Sequence, residues 1–487
     1  MTTETERMSA VDAAWLRMDR PTNLMMIVGV IVFDSRVDFR RFRRTIRQRF
    51  LAFSRFRCRA VQDALTADWE PDPDFDVSRH VLRARLPEPG GQAALEAFVS
   101  ELASTDLDRD RPAWQFHFIE RFEGGSAAIL RIHHCYADGM AMIRVFLSLT
   151  DAEADPAPAS AAPARSARAP RGRGSSGDGD WFSSLGIPGA GLLRQAYTEG
   201  AAFLERVVEL TRNPEQAGEL ARHALGIAGE LARVALLADD PATRFKGPLG
   251  PRKIAAWTDP LPLWEVKAVA RALGCTVNDV LLSTAAGALG GYLRRHGEAT
   301  DGLVIRAAVP VNLRDPAAAA SLGNYFGLVF LELPIGIRDP LERLFEVHAA
   351  MKQLKGSYQP LLTLGLMAAL GRMPASVESA AIDLLSTKAT AVATNVPGPP
   401  QPLYLAGGRI GRMIFWVPQS GDIGLGISIL SYAGQVQFGL IADALRVPDP
   451  DAVTARFREE FEKVVLSVLL GPYLQGDGER QGTGSAV

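Results

Sequence analysis

The sequence is poor in several features that would each indicate a class of protein. Its three cysteines, Cys58, Cys135 and Cys275, lie far apart without a C-x-x-C pair, which argues against a disulfide framework or a thiolate metal site. The formal net charge is only −2, so no excess of positive charge is available to hold nucleic acid. The first residues carry acids where an export signal needs a basic start and an apolar core. We therefore expect a cytoplasmic protein that does not bind nucleic acid.

What the sequence does contain indicates a globular protein of two domains. Hydrophobic residues make up 47% and charged residues 22% of the 487 residues, and a chain of this length exceeds what one core usually organises. A stretch near the middle is rich in Ala, Pro, Gly, Ser and Arg and cannot bury enough apolar surface to fold. The predicted parts are an N-terminal domain at 1–150, a flexible linker at 151–185, a helical connector at 186–245, a C-terminal domain at 246–474 and a disordered tail at 475–487.

Hydrophobic patterning predicts mixed α/β structure. The apolar, β-branched run at 24–33 is too short to cross a bilayer and favours a buried strand. In the second half we predict a helix at 263–273, then a helix that Thr276 caps, with Asp279 in the acidic place of a capping box. The connector is predicted to be helical from 190 to 237. Further strands are predicted at 303–311, 326–333, 388–394, 409–417, 423–431 and 435–441, and a last helix at 448–469.

One uncharged stretch leaves two interpretations open. Residues 356–371 carry no formal charge, yet they are too few for a transmembrane helix. They fit either a core helix or an apolar surface that contacts lipid, and we favour core packing.

The run from 133 to 139, HHCYADG, carries the candidate chemistry. A strand predicted at 126–132 leads into it and a helix predicted at 140–149 follows, so the run lies on a strand-to-helix turn. Imidazole titrates near neutral pH, and a histidine in a pocket can take the proton of an attacking alcohol and return it to a departing thiolate. Because neighbouring residues of a strand face opposite sides, only one of His133 and His134 should be this base. Asp138 is expected to brace the turn.

Other interpretations of this run are weaker. Paired histidines near a turn are commonly packed or bridged by solvent, and a metal site would need a third ligand that the motif does not supply. Cys135 follows the histidines directly and has no partner motif, so packing explains it better than nucleophilic catalysis. The sequence also has no G-x-S-x-G nucleophile turn and no Walker phosphate loop. The remaining histidines are read as structural or exposed.

The motif HHxxxDG resembles that of the CoA-dependent acyltransferase superfamily. Other segments are similar, in order and spacing, to the bacterial wax ester synthase/diacylglycerol acyltransferase family within it. They are SAVDAAWLRMDRPTN from 9, LDRDRPAWQFHFIE before the motif, GPLGPRK at 247–253, TVNDVLL at 276–282, PVNLR with a later GN at 323–324, and TNVPGPP at 394–400. The resemblance covers about residues 8–470.

This resemblance implies a fold and a set of site residues. The implied fold is two chloramphenicol-acetyltransferase-like α/β sandwich domains with an active-site tunnel between them. By position in the motifs, His134 would be the base, His133 supportive and Asp138 the brace, while Asn278 would stabilise the reacting oxygen or simply bond at its helix start. The residues implied to line the tunnel or support it are Gly139, Pro112, Trp114, Asp279, Asn395, Pro397, Gly398, Pro399, Tyr432 and Gly434.

Two positions depart from the family pattern. Ala113 stands where many members have Leu, which removes side-chain volume near the implied substrate passage and puts alcohol selectivity in doubt. Met26 stands where many relatives have His, which leaves a softer apolar wall.

The implied activity is transfer of a fatty acyl group from acyl-CoA to diacylglycerol or a long-chain alcohol. Acyl-CoA would be a co-substrate, and no bound cofactor is expected. The lipid acceptors imply peripheral attachment to the inner membrane or to lipid inclusions. Two alternatives remain: a condensation-type or polyketide-associated acyltransferase that takes its acyl group from a carrier protein, and an inactive lipid-binding protein.

Overall fold

The computed structural model describes residues 5–63, 67–155, 236–314, 322–355 and 357–480. The predicted linker and connector lie largely outside these residues. The described end of the connector, residues 236–245, is irregular rather than helical, because Asp240 is bonded to the second half: its carboxylate accepts the backbone N–H of Arg306 and the hydroxyl of Thr390.

The helices and strands of the first half follow in chain order. They are β1 (Glu6–Arg7), α1 (Ala10–Arg17), β2 (Met26–Phe33), α2 (Phe39–Arg49), β3 (Cys58–Gln62), β4 (Ala67–Pro71), β5 (Val81–Ala84), α3 (Gln92–Ala103), β6 (Trp114–Phe122), β7 (Gly125–His133), α4 (Gly139–Leu149) and β8 (Thr150–Asp151).

The second half contains the remaining elements. They are β9 (Lys253–Trp257), β10 (Leu261–Pro262), α5 (Leu263–Ala272), α6 (Val277–Arg295), β11 (Ile305–Asn312), β12 (Phe326–Leu333), α7 (Pro340–Leu354), α8 (Gln359–Leu370), α9 (Ala375–Ser386), β13 (Ala391–Pro397), β14 (Tyr404–Leu405), β15 (Gly408–Trp416), β16 (Leu425–Tyr432), β17 (Gln435–Asp443) and α10 (Asp451–Arg480).

Two seven-stranded sheets organise these elements. The first has the order β5-β6-β7-β2-β15-β14-β8, and the second has the order β10-β17-β16-β13-β11-β12 with β9 also paired to β17. Every residue of β2 is buried, because the strand lies between β7 and β15 with packed side chains on both faces. This explains why its sequence is continuously apolar instead of alternating. The predicted strand at 24–33 is confirmed.

One segment departs from the predicted division of the chain. Strands β14 and β15, at 404–416, belong by sequence to the second half but join the first sheet, where β15 pairs with β2. The largest cluster of buried hydrophobic residues contains side chains from both halves. The halves are therefore joined by hydrogen-bonded backbone as well as by side-chain packing.

The second half follows the predicted elements with two shifts. The strand predicted at 388–394 runs instead from Ala391 to Pro397, because β13 pairs with β16 as far as Pro397 while the ammonium of Lys388 binds Asp239. The last helix continues to Arg480, past its predicted end. The capping box between Thr276 and Asp279 is present as predicted.

The uncharged stretch packs in the core. Helix α8 is buried along nearly its whole length and packs against β12 and α1. Core packing is therefore confirmed for its described residues, 357–371. In the described part of the chain, no single helix is long and apolar enough to cross a membrane; α5 and α6 reach that length and composition only when taken together across a 100° bend.

Candidate active site

The two histidines of the motif face different cavities. Strand β7 ends at His133, and a single 3-10 turn, His134–Tyr136, leads to α4. His134 lines a cavity of about 1500 Å³ whose wall is built from both halves of the chain. His133 lines a separate cavity of about 640 Å³. The two rings are therefore separated, as expected, but the separation arises where the strand gives way to the 3-10 turn and not from alternation within a continuous strand.

The ring of His134 is enclosed by aromatic side chains. The residue is 2% exposed, and its ring centroid lies 4.3 Å from that of Trp15 and 5.7 Å from that of Phe326. Burial lowers the pKa of His134 to about 4, although the charge of Asp138 opposes this shift. The imidazole is therefore neutral at neutral pH and can accept a proton.

Asp138 joins the motif loop to the second half. One carboxylate oxygen caps α4 by accepting the backbone N–H of Ala141 at 2.7 Å. The other accepts the guanidinium of Arg314 at 2.7 Å and the backbone N–H of Tyr325 at 2.8 Å. The Arg314–Asp138 pair is almost completely buried. The expected bracing role of Asp138 is present, and its arginine partner lies in the PVNLR segment.

Asn324 and Asp12, which the sequence did not indicate as site residues, fix the backbone of His134 through hydrogen bonds. The side-chain amide of Asn324 donates to the carbonyl oxygen of His134 at 3.0 Å and to a carboxylate oxygen of Asp12 at 2.8 Å. The backbone N–H of Asn324 bonds the same oxygen of Asp12 at 3.0 Å. The available signals were the GN pair at 323–324 and an acid on the buried face of α1.

His133 belongs to a polar network on the opposite side. Its Nδ1 accepts the backbone N–H of Cys135 at 3.2 Å, and its Nε2 lies 3.4 Å from a carboxylate oxygen of Asp19. That carboxylate oxygen also accepts the guanidinium of Arg109 at 2.8 Å. Ala113 lines this second cavity. The departure at Ala113 therefore changes the cavity of His133 and not the cavity of His134.

Asn278 reaches the large cavity through a second asparagine. Its side-chain oxygen accepts a short hydrogen bond from the side-chain amide of Asn395. Asn395 lines the cavity together with Thr394 and Pro397, whereas Asn278 is not part of the wall. Of the two side-chain amides, that of Asn395 therefore lies at the cavity wall, and Asn278 supports it.

The other residues implied by the resemblance divide into cavity wall and scaffold. Gly139 and Pro397 lie on the cavity wall. The scaffold contacts are backbone bonds from Gly398 to Ser431, from Ala433 to Pro399, from Leu263 to Gly434 and from Trp114 to Pro112, and the Tyr432 hydroxyl, which bonds Leu403 and Ile410.

Trp114 is a core residue instead of a wall residue. It is completely buried, and its indole N–H donates to the carbonyl oxygen of Phe56 at 2.8 Å. Its ring stacks near His80, with centroids 4.5 Å apart. Of the two roles that the resemblance implied for Trp114, tunnel lining or support, its position in the core at the start of β6 fits support.

Asp279 and the cysteines have structural environments. A carboxylate oxygen of Asp279 accepts the backbone N–H of Thr276 and lies 2.7 Å from Nδ1 of His348. Among the described residues, Cys275, Asp279 and His348 form one group with donor atoms close enough for a metal ion. Burial, followed by the charge of Asp279, raises the pKa of Cys275 to about 11, which disfavours the thiolate that a metal requires. Burial also raises the pKa of Cys135 far above its usual value, which disfavours a nucleophilic role.

Comparison with known proteins gives matches over most of the chain. The model of the wax ester synthase/diacylglycerol acyltransferase catalytic domain matches residues 8–281, and that of the C-terminal domain of the same family matches residues 322–464. A probable diacylglycerol O-acyltransferase of Mycobacterium tuberculosis is 29% identical over 471 residues, covering 94% of this chain and 95% of the relative. A putative diacylglycerol O-acyltransferase of Mycobacterium bovis is 30% identical over 494 residues, covering 96% and 92%.

Two solved structures share the fold. The wax ester synthase/diacylglycerol acyltransferase from Marinobacter aquaeolei VT8 superposes with a TM-score of 0.67 at 22% identity, covering 95% of this chain and 99% of that chain. The first condensation domain of the calcium-dependent antibiotic synthetase gives 0.57 at 16% identity, covering 96% and 97%. The predicted fold class is thus confirmed.

Proposed function

The chain belongs to the wax ester synthase/diacylglycerol acyltransferase family, so its reaction is the transfer of an acyl group to the hydroxyl of diacylglycerol or a long-chain alcohol, and we propose that His134 is the base of this transfer. The observation that carries the proposal is a neutral imidazole on the wall of a large apolar cavity. The cavity wall is mostly apolar and is built from both halves of the chain, which suits the hydrocarbon part of a long acyl chain.

The proposed donor is acyl-CoA. His134 takes the proton of the acceptor hydroxyl while the hydroxyl oxygen attacks the thioester carbonyl carbon. The tetrahedral intermediate collapses as the C–S bond breaks, and the imidazolium returns the proton to the CoA thiolate. The products are the ester and free CoA. Since the protein moves only one proton in this sequence, the reaction requires no bound cofactor.

Two asparagines are the proposed support for the developing oxyanion. Asn395 presents its amide at the cavity wall, and its bond to Asn278 fixes that amide. An amide held in place in a water-poor cavity stabilises negative charge better than solvent does, because it needs no reorganisation during the reaction.

We also propose that the protein works at the inner membrane surface or on lipid inclusions. Diacylglycerol and long-chain alcohols partition into lipid, so an enzyme attached to that phase meets its acceptor at a high local concentration.

The function is tested by measuring CoA release from palmitoyl-CoA with dioleoylglycerol and with hexadecanol as acceptors. Turnover with at least one acceptor is expected, together with its loss in a folded His134→Ala variant. A competition between palmitoyl-CoA and a palmitoyl carrier protein identifies the donor, and preference for the carrier would refute the proposed one. Lipid binding with no CoA release from either acceptor would show an inactive binding protein.

A further inference from the structure

Helix α2 concentrates positive charge, although the chain as a whole is slightly acidic. Its sequence, FRRFRRTIRQR, contains six arginines and no acid among 11 residues, whereas the whole chain has a net charge of −2. A helix whose charges serve only solubility normally mixes both signs. This segment is therefore a candidate for contact with an anionic partner.

The inner face of α2 is anchored in the core. Phe39, Phe42 and Ile46 are buried, and the ring of Phe42 contacts the rings of Phe116 and Phe118 at centroid distances of 5.8 and 4.8 Å. The outward side chains are thus presented by a rigid element.

The outer face is a row of unpaired arginines. Arg41 and Arg49 form ion pairs with Asp155 and Asp151. Three exposed arginines of α2, Arg40, Arg44 and Arg47, and the exposed Arg36, three residues before the helix begins, form no ion pair with any residue that the structure describes. We call these four residues the arginine face. Hydrogen bonds from Ser78 lower the pKa of the exposed Asp76, and the charges of Arg79 and Arg47 contribute less to this shift.

The same helix touches the wall of the large cavity. Phe50, the residue after α2, lines that cavity, and so do Val145, Phe146 and Leu149 of α4, which packs against α2. The guanidinium of Arg49 donates to the carbonyl oxygen of Leu149 at 3.0 Å. The arginine face therefore lies one helix away from the proposed site of the lipid substrates.

We propose that the arginine face docks the protein on an anionic lipid bilayer. This inference rests on the proposed function, because lipid acceptors make a bilayer the fitting partner for a charged face beside the cavity. Each arginine near such a surface strengthens binding by about fivefold, so four together give an effect on the order of several hundred-fold at low salt. The attraction weakens as salt shortens the screening length.

The test uses the full-length protein and sedimentation with vesicles. We compare wild type with a four-site variant, Arg36→Gln, Arg40→Gln, Arg44→Gln and Arg47→Gln. On vesicles with 30% phosphatidylserine we expect the partition coefficient of the variant to fall by at least 100-fold. On pure phosphatidylcholine the two proteins should bind equally weakly, and 0.5 M NaCl should remove most of the difference.

Matched controls separate the arginine face from general charge. A control variant carries four exposed cations from the second half changed to glutamine: Arg271, Arg295, Lys352 and Lys355. It should keep phosphatidylserine binding within about threefold of wild type. Lysine at all four positions of the arginine face should restore binding, because it restores the charge.

Another exposed surface could bind the bilayer instead of the arginine face. Leu466, Leu469 and Leu470 of α10 are exposed apolar side chains that could insert into lipid. If their replacement by serine abolishes vesicle binding while the four-site variant binds like wild type, the proposal is wrong. Equal losses in the four-site and control variants would overturn it as well.

The activity assay keeps this proposal distinct from the proposed function. With acceptor dissolved in detergent and no vesicles, the four-site variant should release CoA at the wild-type rate. Absence of CoA release from the wild type under these conditions would contradict the proposed function while leaving the vesicle result to decide the docking surface.

Discussion

The contact behind His134 allows a sharp prediction. Asn324 is completely buried, and its side-chain amide joins Asp12 to the carbonyl oxygen of His134. Replacing it with alanine removes both side-chain bonds, while the backbone N–H of residue 324 keeps its own bond to Asp12. The carbonyl oxygen of His134 loses this donor, and the ring that it carries loses a fixed position.

The size of the effect follows from the groups left without a partner. Leaving a buried polar group without its hydrogen bond costs about 1–3 kcal/mol in stability. The variant affects two such groups, the carbonyl oxygen of His134 and the carboxylate of Asp12. Because the carboxylate keeps the backbone N–H of residue 324, we expect a total loss of about 2–4 kcal/mol. For a chain of this length the unfolding entropy is roughly 1 kcal/mol/K, which gives a fall in Tm of about 2–4 °C. Misplacing a catalytic group by about 1 Å costs about 100-fold in rate. We expect kcat to fall by that factor while KM for acyl-CoA changes by less than about threefold.

Asn23 offers a matched control. It is also buried, and its side-chain amide makes two bonds of similar length, to the carbonyl oxygens of Gly421 and Ile423. Asn23→Ala should therefore lower Tm by a similar amount without lowering kcat beyond about threefold. The assay is CoA release under saturating substrates, with Tm from calorimetry. Equal loss of kcat in both variants, or unchanged kcat in Asn324→Ala, would refute the positioning role.

Four further predictions concern the same site. Arg314→Met leaves the Asp138 carboxylate buried without its cation and should lower the folding stability by about 3–5 kcal/mol. Adding Asp138→Asn to that variant removes the unpaired charge and should recover part of the lost stability, which melting curves of the two variants would measure. Because the pKa of His134 is about 4, kcat/KM should keep its plateau down to that pH instead of falling near 6.5, as a pH profile would show. As pH falls, His134 binds a proton in the unfolded state before it does so in the folded state, because its pKa is lower when buried. The free energy of unfolding should therefore decrease by about 3 kcal/mol between pH 6.5 and pH 4, as denaturant titrations would show. In His134→Gln this pH dependence should be weaker. Val145→Phe should narrow the large cavity, so the ratio of kcat/KM for palmitoyl-CoA over octanoyl-CoA should fall, and an unchanged ratio would exclude this wall from chain selection.

Local patterns were enough to predict the parts of the fold that local physics determines. The buried strand at 24–33 follows from an unbroken apolar run, and the capping box at Thr276 follows from two residues three positions apart. The separation of His133 and His134 was expected from strand alternation, and the structure achieves it at the junction of β7 and the 3-10 turn. In each case the deciding interaction lies within a few residues of the pattern.

The interactions that complete the site are long-range and leave no local pattern. Asp12 and Asn324 are 312 residues apart, and Arg314 and Asp138 are 176 apart. A polar residue on a buried helix face indicates that some partner exists, but only the folded chain identifies it. The pairing of β15 with β2 is likewise a long-range interaction, and composition does not distinguish β15 from the other apolar strands of the second half. For Trp114 the motif left tunnel lining and support open, and only its packing in the folded chain favours support.

The pairing of β15 with β2 has a consequence for synthesis of the protein on the ribosome. Asp34 and Arg409, which form an ion pair beside these strands, are separated by 375 residues. At about 5–20 residues per second, the ribosome needs about 20 to 75 seconds to make that stretch. During this interval the apolar strand β2 has one edge without its partner, and such an edge readily pairs with other chains. Until its second half has been made, the nascent chain therefore carries an exposed strand edge that favours aggregation.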